Sequence, residues 1–347
     1  MKSSMRFLAG ALVLGMCAFV AGCGDSQSAK PQGQVTEKIM QSPSKQAIAP
    51  LNEIKEGRKN VYAILKVIKG SYWGEVVKGL KEGGDAANVN VYMGGVLKDG
   101  NWEMQRDMIK ELQGKKVDAV ILGVADSTNM TAVAKELRAK KIPVILVDTG
   151  LNSKDYDAAF MTNNVEAGAK AAEKMLAMLK QNGVKENEEI VVKLHVSNLA
   201  SRTISERLES AASYWKDHAP KSWKLGSEYL VNYGDKDRAK KLAEDILKKD
   251  KKVRGILSLN NSTTGATVDA LMTNNRKDVV VVGFDMNPFT AKGIENPDYK
   301  VATILQNQHK MGEEAVKAAL AAAEGKQAAV KDVDTGITVV DDKNFKK

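Results

Sequence analysis

Lys115-Lys116-Val117-Asp118-Ala119-Val120-Ile121-Leu122 and Lys251-Lys252-Val253-Arg254-Gly255-Ile256-Leu257-Ser258 follow one pattern: two lysines, a valine, a charged residue and an apolar run. Each is followed by a turn, a helix-like segment and a second apolar run ending in an aspartate. The endings are Pro143-Val144-Ile145-Leu146-Val147-Asp148 and Val279-Val280-Val281-Val282-Gly283-Phe284-Asp285. The spacing repeats as well, with 30 residues from Asp118 to Asp148 and 31 from Arg254 to Asp285. Unbroken Val/Ile runs indicate strands covered on both faces, and strand–helix–strand alternation indicates a parallel sheet with right-handed crossovers. Two such units predict two α/β lobes of like design.

The pattern extends in both directions. Further apolar runs lie at Val61–Val67, Val89–Met93, Ala158–Met161, Ile190–His195, Glu228–Val231 and Val301–Leu305. Amphipathic stretches such as Trp73–Gly83, Trp102–Leu112, Met130–Ala139, Val165–Lys180, Arg202–Lys216, Lys236–Lys249 and Thr263–Thr273 fall between most of them. From Val61 onward the body is about 280 residues, a size at which one core tends to divide into two domains. The fold class expected is α/β, with two similar doubly wound parallel-sheet lobes.

Ligands of open parallel sheets bind beyond the carboxyl ends of the strands. Asp148 and Asp285 stand there, one per lobe, and facing lobes would bring both into one cleft. An ionised carboxylate accepts hydrogen bonds from hydroxyls strongly and directionally, which suits a polyhydroxylated ligand. The alternative for each is a cap on the turn or helix that follows, at Thr149-Gly150 or at Met286-Asn287-Pro288.

The N-terminal end speaks to location. Lys2 and Arg6 precede an apolar stretch from Phe7 to Val20, and Val20-Ala21-Gly22-Cys23 follows. A basic start, a short apolar core and small residues make an export signal. The apolar stretch is shorter than the ~20 residues of a spanning helix. Val20-Ala21-Gly22-Cys23 resembles the bacterial lipobox, whose cysteine becomes the lipidated first residue of the mature chain; the alternative is an ordinary cleaved signal with a chance cysteine. Residues 1–22 are therefore expected to be removed, and Cys23 to anchor the protein to a membrane, facing the periplasm or the cell exterior. Residues 23–60, rich in Ser, Gln, Lys and Pro, are expected to be a flexible spacer.

With Cys17 discarded and Cys23 lipidated, the mature body has no thiol, which excludes disulfides, cysteine-ligated zinc and a cysteine nucleophile. The three histidines, His195, His218 and His309, are scattered, so neither a metal nor a cofactor is expected. Loss of Lys2 and Arg6 takes the net charge from +9 to +7. Basic residues alternate with acids, as in Lys78–Asp85 and Lys236–Lys252, which describes solvated helix faces and not a nucleic-acid surface. No phosphate-binding G-x-x-x-x-G-K-[ST], no G-x-G-x-x-G after a strand and no G-x-S-x-G elbow occurs. Paired aspartates could serve a glycosidase, but a Val-rich sheet with a repeated lobe fits closure around a ligand better.

Six segments in order carry a family likeness: Lys69-Gly70-Ser71-Tyr72-Trp73 with Gly79, Ile142-Pro143-Val144 to Asp148, Ser205-Glu206-Arg207, Asn260 after Gly255–Leu259, Gly283-Phe284-Asp285, and Ala302-Thr303-Ile304-Leu305-Gln306 with Gly312. The chain resembles the periplasmic sugar-binding proteins of the ribose-binding type, the substrate-binding components of ATP-driven importers, from Val61 to about Val340. The resemblance implies an N-lobe of about 61–162 and 307–335, a C-lobe of about 163–306 and 336–347, and a three-segment hinge. It also implies a ligand site of Lys69, Tyr72, Trp73, Asp148, Arg207, Asn260, Phe284, Asp285 and Gln306. The implied partners are a neutral sugar or polyol and an ABC transporter permease, with the protein a monomer. The alternative role is sensory, presenting a ligand to a membrane receptor or histidine kinase.

Those residue types suit the task. Tyr72 and Trp73 offer flat faces to the C–H side of a sugar ring, Arg207 offers forked donors, and Asn260 and Gln306 both donate and accept. Trp73 could instead be the first core residue of its helix, and Arg207 a solvated or ion-paired helix residue. The chain departs from the family at Ser71 after Gly70, at Thr149 where a second arginine is common, and at Gly123 where an asparagine is common. Lys69 is the candidate to replace a lost donor. Because Asp148 and Asp285 are expected to face a water-filled cleft, unliganded stability is expected to depend little on either.

Overall fold

A computed structural model describes residues 45–326 and 332–346. The export signal, Cys23 and the first part of the expected spacer lie outside the described residues. In chain order the first lobe contains β1 (Lys45–Pro50), β2 (Asn60–Leu65), α1 (Ser71–Ala86), β3 (Asn90–Val96), α2 (Trp102–Lys110), β4 (Ala119–Leu122), α3 (Thr131–Ala139), β5 (Val144–Val147) and β6 (Ala158–Met161). The second contains α4 (Asn164–Gln181), β7 (Ile190–Val196), α5 (Arg202–His218), β8 (Trp223–Leu225), β9 (Leu230–Val231), α6 (Lys236–Lys249), β10 (Val253–Ser258), α7 (Asn261–Thr273), β11 (Val280–Phe284), α8 (Pro288–Glu295) and β12 (Lys300–Gln306). The chain then returns to the first lobe for α9 (Gln308–Ala323) and β13 (Asp332–Asp334), and ends in the second with β14 (Ile337–Val340).

Two sheets result. The first runs β1-β3-β2-β4-β5-β6-β13 and the second β14-β12-β11-β10-β7-β8, with β9 also paired to β7. Interior pairs are parallel, and β1 and β14 close their edges antiparallel. The two doubly wound lobes expected from the sequence are thus present. The chain crosses between them three times, and the crossings lie side by side: Thr162 Oγ1 donates to Gln306 Oε1 at 2.9 Å, and the Thr335 amide donates to the Met161 carbonyl at 2.8 Å.

Burial explains why the strands read as unbroken apolar runs. Val61, Ala63 and Leu65 of β2 pack on one side of their sheet, while Tyr62 and Ile64 pack on the other. In β11, Val280 and Val282 face one layer and Val281 the opposite one. Alternating polarity is absent because neither face meets water. Helices α1 and α9 cover the first sheet at a close crossing. A Cβ at Gly79 would lie 2.0 Å from the His309 carbonyl oxygen, so no larger residue fits there.

One boundary differs from expectation. Residues 45–60 were expected to belong to the spacer, yet Lys45–Pro50 pairs with β3 as an edge strand. Asn52 then binds the Val89 carbonyl and the Val91 amide, both at 2.9 Å. An edge strand is held by backbone bonds and needs no apolar side chains, so its composition resembles that of a linker; Pro50 is tolerated at such an edge. Among the described residues, no helix is long and apolar enough to cross a membrane.

Candidate functional site

The carboxyl ends of both sheets face each other across a cavity of about 670 Å³. Asp148 follows β5 and Asp285 follows β11, each in left-handed backbone conformation with φ of 68° and 65°. That conformation turns each carboxylate off its strand's line and toward the cleft, and it is uncommon outside glycine. Neither aspartate caps a helix. Asn287 performs that task for α8, accepting from the Phe289 and Thr290 amides at 3.0 Å each, so the capping alternative for Asp285 fails.

Around Asp148 the first lobe builds a closed set of partners. The Tyr72 hydroxyl donates to Oδ1, the Thr149 hydroxyl donates to Oδ2, and Lys66 Nζ lies 3.1 Å from Oδ2. Burial opposes ionisation, but Lys66, Thr149 and Tyr72 outweigh it and hold the carboxyl below its usual range. The same burial, with Asp148 and Asp285 nearby, drives the Tyr72 hydroxyl well above 10 and keeps it a donor.

Around Asp285 the second lobe builds a different environment. Gln306 Nε2 and Gln308 Nε2 donate to Oδ1 at 2.9 and 3.2 Å. Burial dominates over the nearby Arg207, and the pKa is raised to about 7. Arg207 is 2% exposed. Its guanidinium binds Asn164 Oδ1, the Leu259 carbonyl and Gln306 Oε1 at 2.9, 2.9 and 2.7 Å, and lies 3.9 Å from the Phe284 ring centroid. It is therefore neither solvated nor paired with an acid on a neighbouring helix.

Of the sequence-expected residues, Lys69, Tyr72, Trp73, Asp148, Arg207, Asn260, Asp285 and Gln306 line this cavity. Phe284 does not, which corrects the expectation that it meets ligand: it is fully buried and supports the Arg207 guanidinium from beneath. Asn260 has a second task, since its side chain accepts from the Thr263 amide at 3.2 Å and caps α7. Trp73 combines both of its readings, being 6% exposed within the first-lobe core while edging the cavity. Its ring explains Gly123: a Cβ there would lie 3.2 Å from the indole, so an asparagine would be crowded out.

Sequence reasoning missed Lys66. It follows directly on the apolar run of β2, where a lysine looks solvated, yet it is 8% exposed and donates to Thr149 Oγ1 at 2.6 Å. The cation lost where threonine replaces an arginine is thus supplied from the end of β2, two strands away from β5 in the sheet. Lys69, the expected substitute, is exposed at the cavity wall. The lobes meet directly around the cavity: Thr203 Oγ1 donates to the Asp148 carbonyl at 3.1 Å, Ser71 Oγ to the Met286 carbonyl at 3.2 Å, and Arg202 Nη1 to the Leu151 carbonyl at 3.1 Å. Among the described residues, no cluster of three or more His, Cys, Asp or Glu side chains could hold a metal ion.

Residues 61–327 match the family model described as periplasmic binding protein domain. The chain belongs to this family. Similar to this periplasmic binding protein is the D-apiose import binding protein of Actinobacillus succinogenes, 24% identical over 63% of this chain and 67% of the relative. The D-allose-binding periplasmic protein of Escherichia coli is 21% identical over 73% of this chain and 81% of its own. Among solved structures, a carbohydrate transporter solute binding protein from Agrobacterium radiobacter in complex with D-arabinose shares the fold. Its TM-score is 0.77 at 22% identity, covering 84% of this chain and 96% of that one.

Proposed function

We propose that this periplasmic binding protein captures a small neutral polyhydroxylated ligand, a sugar or polyol, between its lobes and delivers it to an ABC-type importer. The observation that carries this reading is the pair of strand-end aspartates, matched in backbone geometry on facing sheets and each set beside one buried cation. Lys66 stands with Asp148 and Arg207 with Asp285, and the whole lining carries five basic and five acidic side chains, a balance that favours a neutral occupant over an acid or an amine. Capacity for hydroxyls remains. Both bonds to Asp285 fall on Oδ1, and Arg207 spends three of five N–H donors on protein acceptors. Tyr72 and Trp73 supply an apolar face. The names of the relatives, binders of D-apiose and D-allose, support the same class.

A thermal-shift panel of D-apiose, D-allose, D-ribose and D-arabinose, with D-glucuronate and D-glucosamine as charged contrasts, tests the reading. A neutral sugar at a hundred times its Kd should stabilise the protein by about 2.7 kcal/mol. The same sugar should alter tryptophan emission, and Trp73→Phe should remove most of that change. A response confined to the charged compounds would overturn the proposal.

We also propose that the protein is held at the membrane by a lipid on Cys23, and released from residues 1–22 by cleavage. Cells fed a clickable fatty acid should label the wild type and not Cys23→Ser, which should leave the membrane fraction. Label retained on Cys23→Ser would show that the anchor lies elsewhere.

A further inference from the structure

Asp99, on the loop between β3 and α2, lines the same cavity and has no part in the networks around Asp148 or Asp285. Its Oδ1 is sealed from solvent and has no hydrogen-bond partner. Among the described residues, no cation lies within ion-pairing distance of it; Lys66, whose charge acts on it from further off, is committed to Asp148 and Thr149. The second lobe does the sealing. A Cβ on Gly234, in the loop between β9 and α6, would stand 3.1 Å from the Asp99 Cβ, and one on Gly100 would stand 3.0 Å from Asn198 Nδ2. The half-buried Asp99-Gly100 tip is therefore wedged between two second-lobe loops, and these contacts exist only while the lobes are together. Desolvating a carboxylate oxygen that has no donor is unfavourable. Burial accordingly pushes the Asp99 carboxyl up, with the push of Asp148 and against the pull of Lys66 and of the Gly100 amide, which donates to the carboxylate. Lys236 and Asp237 face the cavity from the first turn of α6.

We propose that Asp99 is a ligand-binding and specificity-determining residue. It accepts a hydrogen bond from a hydroxyl group on the part of the ligand nearest Lys66, and the lobes close fully only on ligands that bring this donor. A half-rotation of the carboxylate exchanges its two oxygens, so an occupant of the cavity reaches the charge without any backbone movement. A ligand lacking the donor leaves the carboxylate with the Gly100 amide as its one donor among the described residues, and closure then works against binding. Selection for one hydroxyl follows from the penalty on its absence, which is how polar sites discriminate most sharply.

The inference rests on the sugar-binding reading, and two measurements separate them. First, the full-length protein, Asp99→Ala and Asp99→Asn are compared by small-angle X-ray scattering without added sugar. Closure of Asp99→Ala no longer desolvates a charge, so its radius of gyration falls toward the closed value, with Asp99→Asn between it and the wild type. Identical scattering from all three, with or without an early melt of Asp99→Ala, overturns the proposal by reducing Asp99 to loop support. Second, D-apiose, D-allose, D-ribose and D-arabinose are titrated calorimetrically, together with monodeoxy forms of whichever binds. The wild type should disfavour one deoxy form by at least about tenfold, and Asp99→Ala should lose that preference while binding the parent sugar more weakly. A preference retained in Asp99→Ala also overturns it. Should none of the sugars bind the wild type, the sugar reading fails, and the scattering comparison still decides whether Asp99 controls closure.

Discussion

Asp148→Ala is expected to lower the free energy of unfolding by roughly 3–5 kcal/mol, because it strips a nearly buried lysine of its counter-ion. The side chains of Lys66 and Asp148 are 10% and 5% exposed, and Nζ lies 3.1 Å from Oδ2. The melting temperature should fall by on the order of 10 °C for a chain of this size. The sequence suggested little dependence of stability on this aspartate, on the view that it faces water. The structure corrects that view: Lys66, Tyr72 and Thr149 all belong to the first lobe and enclose the carboxylate whether or not the lobes are together. Lost sugar affinity should therefore arrive with lost stability. Adding Lys66→Met removes the stranded cation and should return much of the stability, while affinity stays low because the acceptor is still missing. Calorimetric melting of the single and double variants checks both steps. A single variant melting within ~2 °C of the parent would mean that the ion pair is solvated and contributes little.

The interior of each sheet was legible because its strands are dry on both faces. Val61–Leu65, Val144–Val147 and Val280–Phe284 have no polar position to interrupt the apolar run. The edges were not legible. In β13 both Asp332 and Asp334 are exposed, and β1 is largely exposed, so backbone pairing leaves no side-chain pattern to read. The site divides along the same line. Strand-end acids are conspicuous when they terminate an apolar run, and Asp148 and Asp285 stood out for that reason. Nothing in the sequence marks Lys66, one lysine after an apolar run, or Asp99, inside Lys98-Asp99-Gly100. Both owe their environments to groups distant in sequence, Asp148 in the first case and Gly234 in the second. Phe284 failed in the opposite direction. It stands beside a conspicuous aspartate, yet a side chain one position earlier on a strand points to the other face.

Asp285 should make the stability of the protein fall as pH rises from about 4 to about 7. Its folded-state pKa is raised to about 7, whereas an unfolded aspartate titrates near ~3.9. Between those values the folded state binds the proton and the unfolded state has released it, so each step upward in pH favours unfolding. The carboxyl is 2% exposed, and a difference of about three pKa units corresponds to roughly 4 kcal/mol across that window, with no further loss above it. Asp148 works in the other sense and elsewhere: its pKa is lowered, so its contribution is present above the ordinary carboxylate range and disappears in more acid solution. Asp99, also raised, adds to the downward slope. Asp285→Asn isolates the main contribution, because the amide oxygen still accepts from Gln306 and Gln308 while the buried charge is gone. Urea unfolding of the wild type and of Asp285→Asn at pH 4.5, 6 and 8 should show a steep decline in the first and a much shallower one in the second, the remainder belonging to Asp99. Parallel slopes would mean that Asp285 ionises normally in the folded protein. Sugar affinity should move the opposite way to stability, rising as pH passes through about 7, because the ionised carboxylate is the stronger acceptor for a ligand hydroxyl. Asp285→Asn should bind with little pH dependence in that range.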